Sequence, residues 1–209
     1  MAADMLVAQT LHSHDDGTYM LGPDTYRAPI RDQYHDWRFG RNGIPHPATC
    51  ATCGRRSDPR FISPSFRVKR RTRDITSTLD GYTMVSTRFR DFCLRKELTG
   101  LEFARLPADP DFFVFRPRQR LRFDDERRRT RFEKPCPECG GFYNVIGGTP
   151  AFLVGVDAPI AEGFFRSDLE FGSGHTQHPL IIVGLDTASQ LASEVPPKAS
   201  KYYFKPVET

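Results

Sequence analysis

Four of the five cysteines in this 209-residue chain fall in two Cys-x-x-Cys-Gly elements. The first is Cys50, Cys53 and Gly54 in "HPATCATCGRR"; the second is Cys136, Cys139 and Gly140 in "KPCPECGGFY". A Cys-x-x-Cys turn puts two thiolates on one side of a tight loop. The glycine after it lets the backbone curl so that amides turn toward the sulfurs. Two such knuckles, facing each other, make a tetrahedral site for zinc with Zn–S bonds of about 2.3 Å. The usual separation between the pairs is about 15–20 residues. Here 82 residues intervene, so a domain-sized segment must bring the knuckles together. A site closed by four cysteines has no open coordination position and is structural, not catalytic. Two other chemistries stay open at this level: a redox pair at a helix start, and two independent pairs held as thiols or disulfides. His46, four residues before Cys50, is a further candidate ligand. Cys93 lies on the apolar face of an expected helix and reads as a small core residue.

A second stretch with chemistry-bearing residues is "EGFFRSDLEFGSGHTQHP". Asp168 and Glu170 alternate along one face of an expected strand. His175 and His178 could form a metal pair or supply a base. The plain structural reading is a strand ending in a Gly-Ser-Gly turn with polar tips. No nucleophile elbow, P-loop, His-Glu-x-x-His or dinucleotide fingerprint occurs in the chain, and a non-enzymatic protein is expected. His12, His14 and His35 lie in a polar N-terminal stretch without a partner pattern.

Charge is distributed unevenly. The whole chain carries +4, yet the segment from Arg55 to Lys134 holds 22 Lys and Arg against 12 Asp and Glu, leaving the flanks net negative. Such a bias speaks about partners and solubility rather than fold. Within segment 67–131, Arg70, Arg71, Arg118, Arg120, Arg127, Arg128 and Arg129 are the candidate phosphate contacts if the chain binds nucleic acid. The acidic run Asp124, Asp125 and Glu126 interrupts that pattern. No apolar run reaches the roughly 18 residues of a membrane span, and the first residues lack a secretory pattern. The expected location is the cytoplasm, with no membrane partner.

Elements must position these groups. "GYTMVSTRFRDFCLRKELTGLEFARLPA" and "HPLIIVGLDTASQLASEVPPKASKYYFKPVE" each open on a short β-branched run. Each continues through a helical pattern: Phe89, Phe92 and Cys93 in one, Ala188, Leu191, Ala192 and Val195 in the other. Each closes on an aromatic strand and a proline. This is strand–helix–strand written twice, each copy downstream of a Cys-x-x-Cys-Gly, and so a candidate duplication. Between them, "DFFVFRPRQRLRFDDERRRTRFEKPCPECGGFYNV" alternates apolar and charged residues around Phe113, Phe115, Leu121 and Phe123 and reads as hairpin strands with one solvated, arginine-bearing face. The expected fold is α+β: strand-rich, a few short helices and a zinc-ribbon-like four-cysteine clip. One domain is expected over 1–209. It comprises an extension (1–48), a part from the first knuckle to the second (49–140), and a C-terminal part (141–209).

Taken in order, the two Cys-x-x-Cys-Gly elements, "YTMVSTRFRDF…LTGLEFARLP" and "FFRSDLEFGSG…PLIIVGLDTASQL…YYFKPV" resemble the bacterial double-CXXCG motif proteins, roughly from Trp37 to the C-terminus. Members of that family include immunity proteins that protect cells against toxins delivered by kin on contact. The resemblance implies a zinc-clipped, non-enzymatic protein with a cognate toxin as partner, and marks Cys50, Cys53, Cys136 and Cys139 as ligands. It carries over no residue that touches a toxin. The basic middle departs from the acidic character common in nuclease inhibitors. A zinc-ribbon nucleic-acid-binding protein is the alternative reading.

Overall fold

The computed structural model describes residues 5–21, 30–31, 37–38, 46–196 and 203–209. His35 lies outside these residues, as do the side chain of His14 and most of the N-terminal stretch before His46. The chain runs β1 (Leu6–His12), β2 (His14–Asp15), β3 (Ile30–Arg31), β4 (Trp37–Arg38), β5 (Ile75–Ser77), β6 (Thr83–Ser86), α1 (Thr87–Arg95) and β7 (Leu101–Arg105). It continues through β8 (Phe112–Pro117), β9 (Arg120–Leu121), α2 (Asp125–Arg128), β10 (Arg131–Pro135), β11 (Phe142–Ile146) and β12 (Ala151–Phe152). It ends with β13 (Phe164–Ser173), β14 (His178–Val183), α3 (Leu185–Glu194) and β15 (Tyr203–Glu208). The class is strand-rich α+β, as expected.

Both strand–helix–strand units form. Ser86 caps α1, its hydroxyl accepting the Phe89 amide at 3.3 Å, which satisfies one of the orphan donors of the first turn. Phe89, Phe92 and Cys93 are its buried face. Gly184 starts α3 without a side-chain cap. Glycine is needed there because a Cβ would lie 2.5 Å from the Ala161 carbonyl oxygen.

The duplication extends beyond these units. One sheet is ordered β2-β5-β6-β8-β7, and the other contains β9-β13-β14-β1-β15. The two series match strand for strand. β5–β6 and β13–β14 are antiparallel hairpins, and β2 and β9 each add a parallel edge to the first hairpin strand. β8 lies antiparallel between β6 and β7, as β1 lies antiparallel between β14 and β15. The chain is therefore a tandem repeat, β1–β7 and β8–β15. The first strand of each repeat completes the sheet of the other. Exchange of this kind ties the halves together, because neither sheet closes without a strand from the other repeat.

Alternation along the strands feeds separate apolar clusters. Val85, Ile181 and Val183 enter a central cluster with Leu11, Phe115, Phe164, Phe89, Phe92 and Leu191. It thus takes residues from both sheets and both long helices. Met84 and Val114 face a cluster with Met20, Phe66 and Leu106. Ile182 faces another with Val7, Phe123, Phe171 and Val207.

The stretch expected as hairpin strands forms a hairpin only at its C-terminal end, β10–β11. β8 belongs to the first sheet and β9 to the second, and "DDERRR" forms α2. Asp124 caps α2 by accepting the Arg127 amide, with acidic residues in its first turn and basic ones in its last. That arrangement suits the helix dipole, which local charge alternation conceals. Asp16, Asp80 and Asp109 are buried and accept backbone amides: Lys69 and Arg70, Met20 and Leu21, and Val68 respectively. Part of the basic segment is thereby anchored by acids distant in sequence.

Phe89 is fully buried and packs against Phe115 at 5.2 Å and Phe164 at 5.5 Å. Phe89→Ala is expected to cost about 3–5 kcal/mol, whereas Leu94→Ala, at a half-exposed position, should stay within about 0.5 kcal/mol. Urea unfolding should show one transition for both repeats. Two separated transitions would contradict the shared core.

Candidate metal centre

The first knuckle lies between β2 and β5, the second between β9 and β13, at equivalent places in the two repeats. Their backbones are alike. In one, the Cys50 amide donates to the Arg55 carbonyl at 2.7 Å and the Gly54 amide to the Cys50 carbonyl at 2.8 Å. In the other, the Cys136 amide donates to the Gly141 carbonyl at 2.7 Å and the Gly140 amide to the Cys136 carbonyl at 3.0 Å. Gly54 and Gly140 have φ of 71° and 70°, the left-handed region where a side chain is strained. The second knuckle tips the β10–β11 hairpin, paired from Arg131↔Ile146 to Pro135↔Phe142. The first has only a bridge between Thr49 and Arg56.

The four sulfurs converge. Each equivalent pair faces across the junction, Cys50 to Cys136 at 3.8 Å and Cys53 to Cys139 at 3.6 Å, and all four lie within 4.8 Å of one another. The edge of a tetrahedron with 2.3 Å metal–sulfur bonds is about 3.8 Å, so the donor set fits a metal ion. A disulfide bond would need about 2.05 Å, and all five cysteines are free thiols. Neither knuckle opens a helix, which leaves the redox-pair geometry unmet.

Electrostatics point the same way. Two thiolates 3.8 Å apart repel by about 4 kcal/mol at an effective dielectric of 20. Burial pushes the Cys50 and Cys53 thiols up, against the amides of Cys53 and Thr52 that favour the Cys50 thiolate. Cys136 is drawn down to about 7, chiefly by the Cys139 amide and also by that of Glu138. Around the cluster, the Thr52 hydroxyl donates to the Glu138 carboxylate and Arg55 pairs with Glu170 at 3.5 Å. Gln177 Nε2 donates to the carbonyls of Phe142 and Tyr143, bracing the second hairpin.

His46 stays outside the sulfur cluster. It is buried edge-on against Phe61 with ring centroids 4.8 Å apart, and its Nδ1 accepts the Ala48 amide at 2.9 Å. Cys93 is fully buried in the central core, and burial raises its thiol to about 12.

The Asp168–His178 stretch disperses its polar groups. Asp168 is exposed and accepts the Phe123 amide at 2.9 Å. Glu170 faces Arg55. His175 is buried, with Tyr19 at 6.2 Å between ring centroids. His178 is exposed and donates from Nδ1 to the Thr176 carbonyl at 2.9 Å. Among the described residues, the four cysteines are the group of metal-ligating side chains that converges.

The candidate phosphate contacts are spread over both repeats. Arg70 is exposed, and Arg71 is bound to Asp109 and Asp111. Arg118 faces Glu102 at 3.7 Å, and Arg120 is exposed on β9. Arg127 lies 4.0 Å from the Phe152 ring centre, Arg128 donates to the Thr149 carbonyl at 2.6 Å, and Arg129 is exposed at the end of α2. Arg127 and Arg128 thus serve the packing of α2. Among the described residues no helix is long and apolar enough to cross a membrane.

Metal affinity should rise with pH. Cys50 and Cys53, whose protons are held by burial, must lose them on binding, so affinity should rise by at least about 100-fold per pH unit below neutrality. Competition against a chelating dye at several pH values measures this, and a flat profile would show that these thiols are not ligands. His175 gives a second pH effect. Burial, with Arg56 nearby, lowers its pKa to about 3 from 6.5. Its neutral form is favoured in the folded state, so stability is full above pH 6.5 and falls as pH drops toward 3. Urea titrations should show that loss reduced, by on the order of 1 kcal/mol or more at pH 4.5, in a folded His175→Phe protein.

No protein-family model, curated protein or solved structure matches this chain.

Proposed function

We propose that the chain is a zinc-clipped, non-enzymatic binding protein that neutralises a cognate bacterial toxin by occupying it. The observation that carries this reading is the four-sulfur cluster, formed by equivalent knuckles of two repeats. Zinc suits a closed set of four thiolates, and such a site supplies folding energy rather than chemistry. A scaffold fixed at the junction of its halves presents a binding surface at low ordering cost. The toxin partner and the immunity role rest on the resemblance to the double-CXXCG motif proteins, and a cytoplasmic location on paired cysteines that suit a metal in a reducing compartment.

Purified protein should contain about one zinc per chain. Cys136→Ser should lose the metal and much of the fold. Iron in place of zinc, or a metal-free protein that stays fully folded, would overturn the zinc assignment. In cells expressing the cognate toxin, wild-type protein should preserve survival and Cys136→Ser should not. Asp168→Ala and His178→Ala should still protect, since no chemistry depends on them. Loss of protection in a folded Asp168→Ala protein that still binds toxin would favour an enzyme instead.

Exposed Arg120 and Arg129 favour nucleic-acid binding as the second reading. Contacts to phosphate alone make such binding weak and salt-sensitive, abolished by charge reversal at these two residues. Tight, sequence-selective binding that survives moderate salt would put this reading first.

A further inference from the structure

A cavity of about 50 Å³ opens between the two sheets, lined by Arg56, Tyr82, Arg116, Arg166 and Glu170 with Thr83 of β6 and apolar residues of β8 and β14. It draws on both repeats: Arg56 follows the first knuckle, Arg116 ends β8 and Arg166 lies on β13. The three guanidinium groups face one lining carboxylate. That carboxylate, Glu170, is turned to Arg55 at 3.5 Å.

The hydrogen bonding of these arginines is incomplete. Arg116 donates from Nη1 to Glu102 at 3.0 Å, but its Nη2 is buried with no hydrogen-bond partner. Arg166 likewise has its Nε–H buried without an acceptor. Arg56 is fixed from outside, its Nη2 donating to the Gln177 carbonyl at 2.6 Å and its guanidinium 4.6 Å from the Tyr82 ring centre. Buried donors without acceptors are costly and rare in folded proteins. Planar guanidinium forks match an oxyanion that offers two oxygens.

We propose that this cavity is a binding site for a small oxyanion, a phosphate group or a carboxylate, held by Arg116 and Arg166 with Arg56 completing the positive wall. Burial, Arg120 and Arg116 press against the charge on Arg166 more than Glu170 and Glu102 support it, an imbalance that an anion relieves. The site is distinct from the four sulfurs, and the ligand group can be free or part of a larger partner.

The metal-loaded protein is titrated with inorganic phosphate and, separately, with acetate, at constant ionic strength set by chloride. The readout is the Nε–H resonances of the arginines by NMR. A saturable shift at Arg166 is expected with at least one of the two anions, and the one that binds identifies the source. Arg166→Met and Arg116→Met should each weaken binding about tenfold or more, while Arg95→Ser, exposed on α1 and outside the cavity, should leave it unchanged. Should Arg116→Met fail to fold, Arg166→Lys keeps the charge without the fork and should still lose about tenfold. Absence of saturation with both anions, or equal binding by wild type and the folded Arg166 variants, would overturn the site.

Discussion

Four sulfurs within 4.8 Å of one another impose the constraint on which the rest of the molecule depends. As thiolates they repel one another strongly; as thiols they pack as small apolar groups and bind nothing. A dication resolves that choice, turning mutual repulsion into shared attraction. The knuckle amides assist by pointing at Cys50 and Cys136. The cluster also holds together chain segments that lie 82 residues apart in sequence. It therefore acts on the relation between the repeats more than on either repeat alone.

The repeat architecture explains why one centre suffices. Each repeat contributes one knuckle, and equivalent cysteines face each other at 3.6 and 3.8 Å, matched residue for residue between the halves. The same relation recurs in the sheets, where β1 and β8 trade places. It recurs in the central core, where Phe115 of β8 and Leu11 of β1 occupy matching positions. Sulfur cluster, strand exchange and shared core thus tie the halves together by three independent means. The first depends on thiol ionisation, the second on backbone hydrogen bonds and the third on apolar burial.

Charge is handled locally as much as globally. The basic excess of the middle segment includes arginines committed to structure. Arg71 serves Asp109 and Asp111, Arg88 serves buried Asp74, and Arg128 serves the Thr149 carbonyl. What remains outward-facing is smaller than the count of basic residues suggests. Two arginines with unmet donors, Arg116 and Arg166, line the cleft between the sheets.

Sequence by itself determined the local elements and the candidate ligands. Spacing of three and four marked the buried faces of both long helices, because helical periodicity is a short-range property. The Ser86 cap of α1 is likewise a local contact, to the Phe89 amide three residues on. Cys-x-x-Cys-Gly identified both knuckles, because the geometry of a knuckle is set by five consecutive residues. The expected hairpin around "RPRQRLRF" did not form, since strand partners are chosen by the whole sheet: β8 and β9 left for different sheets. Only the tertiary structure decided that the four cysteines converge, that His46 stays apart from them, and that His175 is buried while His178 is exposed. It alone revealed the exchange of first strands and the meeting of Arg56, Arg116 and Arg166. These are contacts between residues tens of positions apart. Their formation depends on packing a shared core, a free energy summed over both repeats that no local stretch of sequence encodes.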